Sequence, residues 1–293
     1  MTVLEAIQKS ADFLGKKGVE SSRLNAELLL AHQLQLPRMK LYLNFERALT
    51  PAETDGYREL IKRRGQREPL QHITGSTSFC GLEIAVTRQA LVPRPETEML
   101  AELGWQFLLA APKQSEGGST RNSQPATALD FGTGTGCIAI ALAVKCPAAK
   151  ITALDFSADA LGLAKQNATA NKVVERIEFL QGDGFATLPA KTAFDLLVSN
   201  PPYIASAEIE TLEPEVRDFD PRAALDGGAD GLDFYHRLAK EAGAFLKPGG
   251  KIMVEFGDGQ ADAIKKIFES EKWIVEAVQA DYSHRARILV ARR

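Results

Sequence analysis

Residue types that build common metal and disulfide sites are scarce in this chain of 293 residues. The cysteines are too few and too scattered for a disulfide framework or a zinc site; they are Cys80, Cys137 and Cys146. The histidines show no metal-ligand spacing such as HExxH; they are His32, His72, His236 and His284. We therefore expect no metal and no disulfide.

An excess of positive charge and a long apolar run are also missing. Lys and Arg number 35 against 38 Asp and Glu, which gives a formal net charge of −3, so no basic surface for nucleic acid is indicated. No apolar run reaches the length of about 18 residues that spans a membrane. The amphipathic start "MTVLEAIQKSADFLGKK" has no signal core. The sequence predicts a cytoplasmic protein that binds neither membrane nor nucleic acid directly.

The first third of the chain has helical patterns. Thr2 with Glu5, and Thr50 with Glu53, have the spacing of capping boxes. From Pro69 the apolar period changes to two, and "LQHITGSTSF" and "LEIAV" flank Cys80-Gly81, which predicts a β-hairpin. We predict a helical substrate-recognition domain at 1–68, a β-hairpin linker at 69–95 and a catalytic domain at 96–293.

Strands and helices alternate in the remainder of the chain. A polar, Gly/Ser-rich stretch at 113–127 predicts a surface loop. The predicted strands are "ALDF", "KITALD", "RIEFLQGD", "FDLLVSN", "GGKIMVEFG" and a terminal hairpin of "WIVEAVQADY" and "RARILVAR". This alternation predicts an α/β fold with a doubly wound, mostly parallel sheet. Ligands bind such sheets at the carboxyl ends of the strands.

The ends of the first two predicted strands carry a glycine turn and an acid. The turn is Gly132-Thr133-Gly134-Thr135-Gly136, where alternate glycines allow the backbone to approach a ligand at a helix N-terminus. Asp155 ends the next strand, and its carboxylate suits the two hydroxyls of a ribose. Dinucleotide enzymes use a similar turn, but G-x-G-x-G lacks the extra residue of G-x-G-x-x-G, which favours a ligand other than NAD.

The next two strand ends are Asp183-Gly184 and "VSNPPYIAS" at 198–206. Asp183-Gly184 would lie where an adenine ring sits if Asp155 holds the ribose. In Asn200-Pro201-Pro202-Tyr203, two prolines stiffen the backbone beside an amide and an aromatic ring. Asn200 Oδ1 and the Pro201 carbonyl can grip both hydrogens of a planar NH₂ group, and Tyr203 can pack on its planar face.

These strand ends resemble those of an S-adenosylmethionine-dependent methyltransferase of the Asn-Pro-Pro-Tyr type. "PLQHITGSTSFCGLEIAVTRQALVPRPETEML", "DFGTGTGCIAIALA", "VSNPPYI" and "DPRAALDGGADGLDFY" narrow the resemblance to the peptide chain release factor glutamine methyltransferase family. The resemblance implies a Rossmann-like seven-stranded methyltransferase sheet with a small N-terminal helical domain joined by a β-hairpin linker. It implies a monomer that methylates the glutamine of the release factor's Gly-Gly-Gln motif.

By this resemblance, the cofactor S-adenosylmethionine is bound by Gly132, Thr133, Gly134, Thr135, Gly136, Asp155, Asp183, Gly184 and Asn200. The glutamine is held by Asn200, Pro201, Pro202 and Tyr203, with Asn200, Pro201 and Tyr203 as the catalytic residues. Arg94, Glu96 and Glu98 would brace the mouth of the site. Asp220-Pro221 replaces the family's usual Glu-Pro. Gly184 replaces the bulky residue that the family often has near the adenine, and Phe185 would substitute for it.

Other functions remain open on the sequence alone. Glutamine methylation of a ribosomal protein shares the motif and the helical domain. N6-adenine methylation of DNA or RNA shares the motif, but the chain has no basic excess. A non-catalytic scaffold that binds translation factors would need neither Asn200 nor the glycine turn.

Overall fold

The computed structural model describes residues 1–110 and 125–293, which form two compact units. One unit comprises Met1–Ser76 and Leu212–Phe219, and the other comprises Thr77–Thr211 and Asp220–Arg293. The predicted boundaries at 68 and 95 stay a prediction. Most of the predicted surface loop at 113–127 lies outside the described residues, and Thr127 already belongs to a strand.

The N-terminal unit is helical. Its helices are α1 (Val3–Lys16), α2 (Ser22–Leu34), α3 (Arg38–Tyr42), α4 (Pro51–Gly65), α5 (Leu70–Thr74) and, from the second segment, α9 (Pro214–Arg217). The predicted capping boxes at Thr2 and Thr50 are confirmed, with Glu5 and Glu53 as the returning side chains. Each box satisfies backbone N–H groups that a helix start leaves without partners.

The core of this unit forms where the apolar faces of α1, α2 and α4 meet. Leu14, Leu29 and Leu30 are fully buried there. Tyr57 of α4 is also buried, and its hydroxyl donates to the Ala26 carbonyl at 3.0 Å. Because that hydroxyl has a partner, the ring contributes its apolar area to the core without the cost of an unpaired polar group.

The segment Leu212–Phe219 is held within this unit by ion pairs to Glu215. Arg64 Nη2 lies 2.8 Å from Glu215 Oε1, and Arg67 Nε donates to the same oxygen at 2.7 Å. Arg64 is 6% exposed, so its charge has little access to water. Removal of a partner from a buried ion pair leaves a charge that is poorly solvated.

We therefore expect Glu215→Ala to lower the free energy of unfolding by about 2 kcal/mol, measured by chemical denaturation. Glu213→Ala is the matched control, because Glu213 also pairs with Arg67 but its side chain is 70% exposed. The control should change stability by less than about 0.5 kcal/mol. Equal losses in the two variants would show that burial of Arg64 is unimportant.

The β-hairpin is confirmed, and one part of its prediction is wrong. Strands β1 (Ser76–Phe79) and β2 (Leu82–Ala85) pair around Cys80-Gly81, which both have positive φ, at 52° and 77°. Residues Leu70–Thr74, predicted as part of a strand, form α5 instead. Pro69 precedes that helix and Gly75 ends it with a φ of 84°, so local start and stop signals prevail over the apolar alternation.

The second unit contains a seven-stranded sheet with the order β5-β4-β3-β6-β7-β9-β8. Its strands are β3 (Thr127–Phe131), β4 (Lys150–Asp155), β5 (Ile177–Gln181), β6 (Phe194–Ser199), β7 (Leu246–Glu255), β8 (Ile274–Ala280) and β9 (Ala286–Arg292). Neighbouring strands from β5 to β7 are parallel, and β9 is antiparallel to both β7 and β8. The predicted Rossmann-like α/β fold and its terminal hairpin are confirmed.

Helices cover both faces of this sheet. They are α6 (Pro95–Ala110), α7 (Cys137–Lys145), α8 (Ala158–Ala170), α10 (Asp233–Glu241) and α11 (Ala261–Ser270). On β6, Leu196 and Val198 pack into the cluster that contains α7, whereas Leu197 packs into the cluster that contains α10 and α11. Both faces are therefore apolar, which explains the continuous hydrophobic run before Asn200.

The strand order reverses between β3 and β6. From β3 the chain builds outward through β4 and β5, and it then returns to add β6 and β7 on the other side of β3. The loops after β3 and β6 therefore diverge, which opens a crevice at the carboxyl ends of the strands.

Candidate active site

A cavity lies at this crevice, within the second unit. The cavity has a volume of about 170 Å³, counted as the space that the centre of a water molecule can reach. Its walls come from the ends of β3, β4, β5 and β6, from the segment before α6 and from the loop after Asp220. The predicted site residues on these walls are Gly132, Thr133, Gly134, Thr135, Asp155, Asp183, Gly184, Asn200 and Pro202.

The glycine turn forms the floor at the end of β3. Gly132 and Gly134 have φ values of 74° and 54°, in the region that residues with a Cβ rarely adopt. Asp130 fixes the turn from below, because its Oδ2 accepts from Thr133 Oγ1 at 2.6 Å and from the Ala139 N–H at 3.1 Å. Complete burial raises the pKa of Asp130 to about 7.

Gly136 differs from the other glycines of the turn. It does not line the cavity, and a Cβ at this position would lie 2.9 Å from the Cβ of Ala164. Its φ is 80°. Gly136 therefore allows α7 to begin directly against α8. Its predicted cofactor contact stays a prediction.

Asp155 links the turn to the end of β4. Its Oδ2 accepts from the Gly134 N–H and its Oδ1 from the Ser157 N–H, both at 2.9 Å. A carboxylate has about four acceptor positions, so each oxygen can still accept one more hydrogen bond. The side chain lines the cavity.

Phe156 is an aromatic wall residue that sequence reasoning missed. It follows Asp155 directly, lines the cavity and is 59% exposed. Phe185, the aromatic residue predicted for the adenine position, is buried in the core, with its ring centroid 4.9 Å from Phe131 and 5.0 Å from Phe245. That prediction is wrong, because Phe185 is buried and does not line the cavity, whereas Phe156 is exposed and does.

Arg237 of α10 closes the wall beside Asp183 and Gly184. Its guanidinium donates to Asp183 Oδ1 at 2.5 Å and to the Asp183 carbonyl at 2.8 Å. A Cβ on Gly184 would lie 2.1 Å from Arg237 Nη2. Glycine is therefore needed at 184 so that the arginine can reach the backbone. No local sequence pattern indicates this pair, since its members are 54 residues apart.

Asn200 lies on the cavity wall in a defined orientation. Its Nδ2 donates to Thr97 Oγ1 at 3.1 Å, so Oδ1 is the end of the amide that lies away from Thr97. Pro202 lines the same cavity, whereas Pro201 is buried and, like Tyr203, is not part of the wall. The structure thus brings Asn200 to the glycine turn and Asp155 but does not bring Tyr203 into this cavity.

Tyr203 is held rigidly behind Asn200. Its carbonyl accepts from Gln260 Nε2 at 2.9 Å, and Gln260 Oε1 accepts from the Gly257 N–H at 2.9 Å. Burial raises the pKa of the Tyr203 hydroxyl to about 12, with a further rise from the nearby Glu255 carboxylate. Tyr203 therefore stays neutral at ordinary pH.

The charged residues before and within α6 brace the site. Arg94 Nη2 lies 2.7 Å from Asp220 Oδ2, which connects the segment before α6 to the loop after β6. Burial raises the pKa of Asp220, and the charge of Arg94 opposes that rise. Glu98 Oε1 accepts from the Cys80 N–H at 2.8 Å and so secures the hairpin turn. Aspartate at 220 thus makes the ion pair that this bracing role needs.

Residues 1–110 and 125–293 contain no group of three or more His, Cys, Asp and Glu side chains with the arrangement of a metal site. None of their helices has the length and apolar character to cross a membrane.

Comparison with known proteins first gives the class. A family model described as a methyltransferase small domain matches residues 118–213. A methyltransferase from Pyrococcus furiosus shares the fold with a TM-score of 0.50 and 20% identity, over 73% of this chain and 90% of that one. The fold, with the glycine turn and Asn-Pro-Pro-Tyr at its strand ends, is that of a methyltransferase.

Relatives of nearly the same length give the family. The release factor glutamine methyltransferase of Geobacter sulfurreducens is 43% identical over 91% of this chain and 88% of its own. That of Chlorobaculum tepidum is 40% identical over 96% of this chain and 94% of its own. A model described as the PrmC N-terminal domain matches residues 5–75. The chain belongs to the release factor glutamine methyltransferase family.

Proposed function

We propose that this protein transfers a methyl group from S-adenosylmethionine to the side-chain amide nitrogen of the glutamine in the Gly-Gly-Gln motif of peptide chain release factors. Family membership supports the substrate class. The orientation of Asn200 supports the chemistry, because Nδ2 is bound to Thr97 and Oδ1 is left as an acceptor at the cavity wall. This orientation is the observation on which the proposal depends.

An acceptor is what a glutamine side chain needs at this position. The lone pair of an amide nitrogen is delocalised into its carbonyl, so the nitrogen is a poor nucleophile. Asn200 Oδ1 and the Pro201 carbonyl would each accept one N–H of the incoming amide, which fixes the nitrogen and favours a pyramidal geometry. Pro201 is buried, and its ring keeps that carbonyl in a fixed direction.

The cavity residues fit the proposed cofactor. Asp155 has free acceptor positions for the two ribose hydroxyls, and exposed Phe156 offers a face for the adenine ring. The glycine turn lets the backbone approach the amino-acid part of the cofactor. S-adenosylmethionine supplies a methyl carbon bound to a positively charged sulfur.

The proposed methyl transfer needs neither a metal nor a strong base. The amide nitrogen forms a bond to the methyl carbon, the carbon–sulfur bond breaks, and its electron pair stays on sulfur. The nitrogen becomes more acidic as it acquires positive charge, and it then loses one of its protons to water. Asn200 and Pro201 act by holding those N–H groups during the step.

The direct test uses purified protein, methyl-labelled S-adenosylmethionine and a release factor. We expect one labelled methyl group on the wild-type release factor and none on a variant in which the glutamine of Gly-Gly-Gln is replaced by alanine. Tandem mass spectrometry places the methyl group on the residue. Label on a ribosomal protein, or on adenine in DNA or RNA, with none on the release factor would refute the proposed substrate.

The proposal also covers the role of the N-terminal helices and the cellular location of the enzyme. We propose that residues 1–68 recognise the release factor, as the predicted domain division implies. Release factors act on ribosomes, so the enzyme would act in the cytoplasm. We propose that it acts as a monomer.

A further inference from the structure

Three side chains from distant parts of the second unit meet at the cavity, where Asn200 and Thr97 line the wall and Glu255 does not. Asn200 directly follows β6, Glu255 is the last residue of β7, and Thr97 lies in the first turn of α6. Strands β6 and β7 are parallel neighbours with Ser199 opposite Val254, so their carboxyl ends meet at one edge. The catalytic functions described so far use only Asn200 of these three.

The three side chains form a chain of hydrogen bonds with one direction. Asn200 Nδ2 donates to Thr97 Oγ1 at 3.1 Å. The Glu255 carboxylate is close enough to the Thr97 hydroxyl for that hydroxyl, acting as a donor, to oppose the rise in the pKa of Glu255. A hydroxyl has a single proton, and an ionised carboxylate can only accept. While Glu255 holds that proton in a hydrogen bond, Thr97 can only accept from Asn200. The amide therefore cannot turn over and present Oδ1 to Thr97.

The burial of Glu255 is costly and asks for an explanation. Glu255 is 2% exposed, and its Oε2 has no hydrogen-bond partner within the described residues. Several charged or titratable groups face it: Glu96 and Arg94 from the segment that begins α6, Arg287 from β9, Tyr203 from the loop after β6 and Tyr235 from α10. A buried carboxyl with an unmet oxygen is a feature that proteins retain at functional sites more than in structural cores.

We propose that Thr97 and Glu255 are positioning residues for the transfer, and that their hydrogen-bond chain holds Asn200 with Oδ1 toward the substrate amide. The inference rests on the proposed glutamine methylation. Protonated Glu255 can donate to Thr97, which frees the Thr97 proton for Asn200 Oδ1. The side-chain amide of Asn200 can then flip and present Nδ2, a donor that repels the N–H groups of the substrate. Ionised Glu255 is thus the form that supports catalysis.

Thr97→Val tests the chain with little change of shape. We expect kcat to fall by about 10- to 100-fold, because the loss of a fixed orientation misplaces the nucleophile. The affinity for S-adenosylmethionine should stay unchanged, and Thr97→Ser, which keeps the hydroxyl, should restore most of kcat. Thr152→Val is the matched control, since Thr152 is also buried but lies on β4 away from these residues. A Thr97→Val enzyme with wild-type kcat, or no rescue by serine, would overturn the proposal.

The dependence of kcat on pH gives the second readout. Burial raises the pKa of Glu255 to about 7, and the negative Glu96 adds to that rise. Wild-type kcat should therefore increase as the pH passes upward through this region. Glu255→Gln cannot ionise, so its kcat should be low and should lack this step. Persistence of the step in Glu255→Gln would assign it to another group and contradict the role of Glu255.

A third measurement needs no substrate, so it tests the hydrogen-bond chain separately from the proposed glutamine methylation. The folded-state pKa of Glu255 lies above its ordinary value of 4.5. Its contribution to stability is therefore fully present below about pH 4.5 and is lost as the pH rises through about 7. Glu255→Gln should remove that loss. In Thr97→Val the titration should move to higher pH, because the ionised carboxylate has lost its donor.

The outcomes are distinct. Wild-type protein that methylates no release factor refutes the proposed function alone. An unchanged titration of Glu255 in Thr97→Val, followed by denaturation from about pH 5 to about pH 9, refutes the hydrogen-bond chain whatever the substrate is.

Discussion

Replacement of Asn200 by alanine should lower kcat for release factor methylation by about 100-fold or more, the usual effect of removing one fixed polar group that stabilises a transition state. Without Oδ1, only the Pro201 carbonyl remains to hold the substrate NH₂ group, and the second N–H is free to rotate. The affinity for S-adenosylmethionine should change much less, because most of the predicted cofactor contacts come from the glycine turn, Asp155 and the Asp183 loop. Stopped single-turnover assays separate the chemical step from binding.

Stability is the control for this variant. Within the described part of the chain the Asn200 side chain makes one hydrogen bond, to Thr97, so its loss should cost about 1 kcal/mol. Asn171→Ala is a matched variant, since Asn171 Nδ2 donates to the Glu83 and Asn167 carbonyls and none of these three residues lines the cavity. It should lose comparable stability and keep wild-type kcat. If both variants lose activity in proportion to stability, Asn200 has a structural role and the proposed clamp is wrong.

The main features of the fold followed from the sequence because their signals are local. Each parallel strand is a short apolar run, and each run ends in a glycine, an acid or an amide that can be recognised without knowledge of the rest of the chain. The rule for ligands at strand ends then brought Gly134, Asp155 and Asn200 together, and the structure does place them on one cavity.

The errors and omissions have a different origin. Phe156 and Phe185 both follow an acidic strand end closely, and only the packing of the completed sheet decides that Phe156 is exposed and Phe185 buried. Thr97 meets Asn200 across 103 residues of sequence, so no local pattern could pair them. The helix at Leu70–Thr74 was missed because five residues are too few to distinguish a helical from an alternating pattern.

Gly136 shows how one motif can combine two physical requirements. Gly132 and Gly134 lie on the cavity, whereas Gly136 is required by the close approach of Ala164. Sequence spacing alone treats the three glycines alike. The distinction depends on α8, whose position is fixed only when β4 pairs with β3.

Asp155→Ala should weaken S-adenosylmethionine binding by about 100-fold or more, measured by isothermal titration calorimetry. The variant loses two proposed hydrogen bonds between a charged carboxylate and the ribose hydroxyls, each worth about 1.5 kcal/mol or more. It also frees the Gly134 and Ser157 N–H groups that Asp155 now binds. A decrease in stability is therefore expected as well, and affinity alone cannot assign the contact to the ribose.

A double-mutant cycle resolves this ambiguity. S-adenosylhomocysteine and its analogue without the two ribose hydroxyls are each titrated into wild-type protein and into Asp155→Ala. If Asp155 binds the hydroxyls, wild-type protein should prefer the complete ribose strongly and the variant should prefer it weakly, since the interaction is lost once by either change. An undiminished preference in the variant would mean that Asp155 acts on the ligand only by shaping the glycine turn. The ribose would then have to be held by another wall of the cavity.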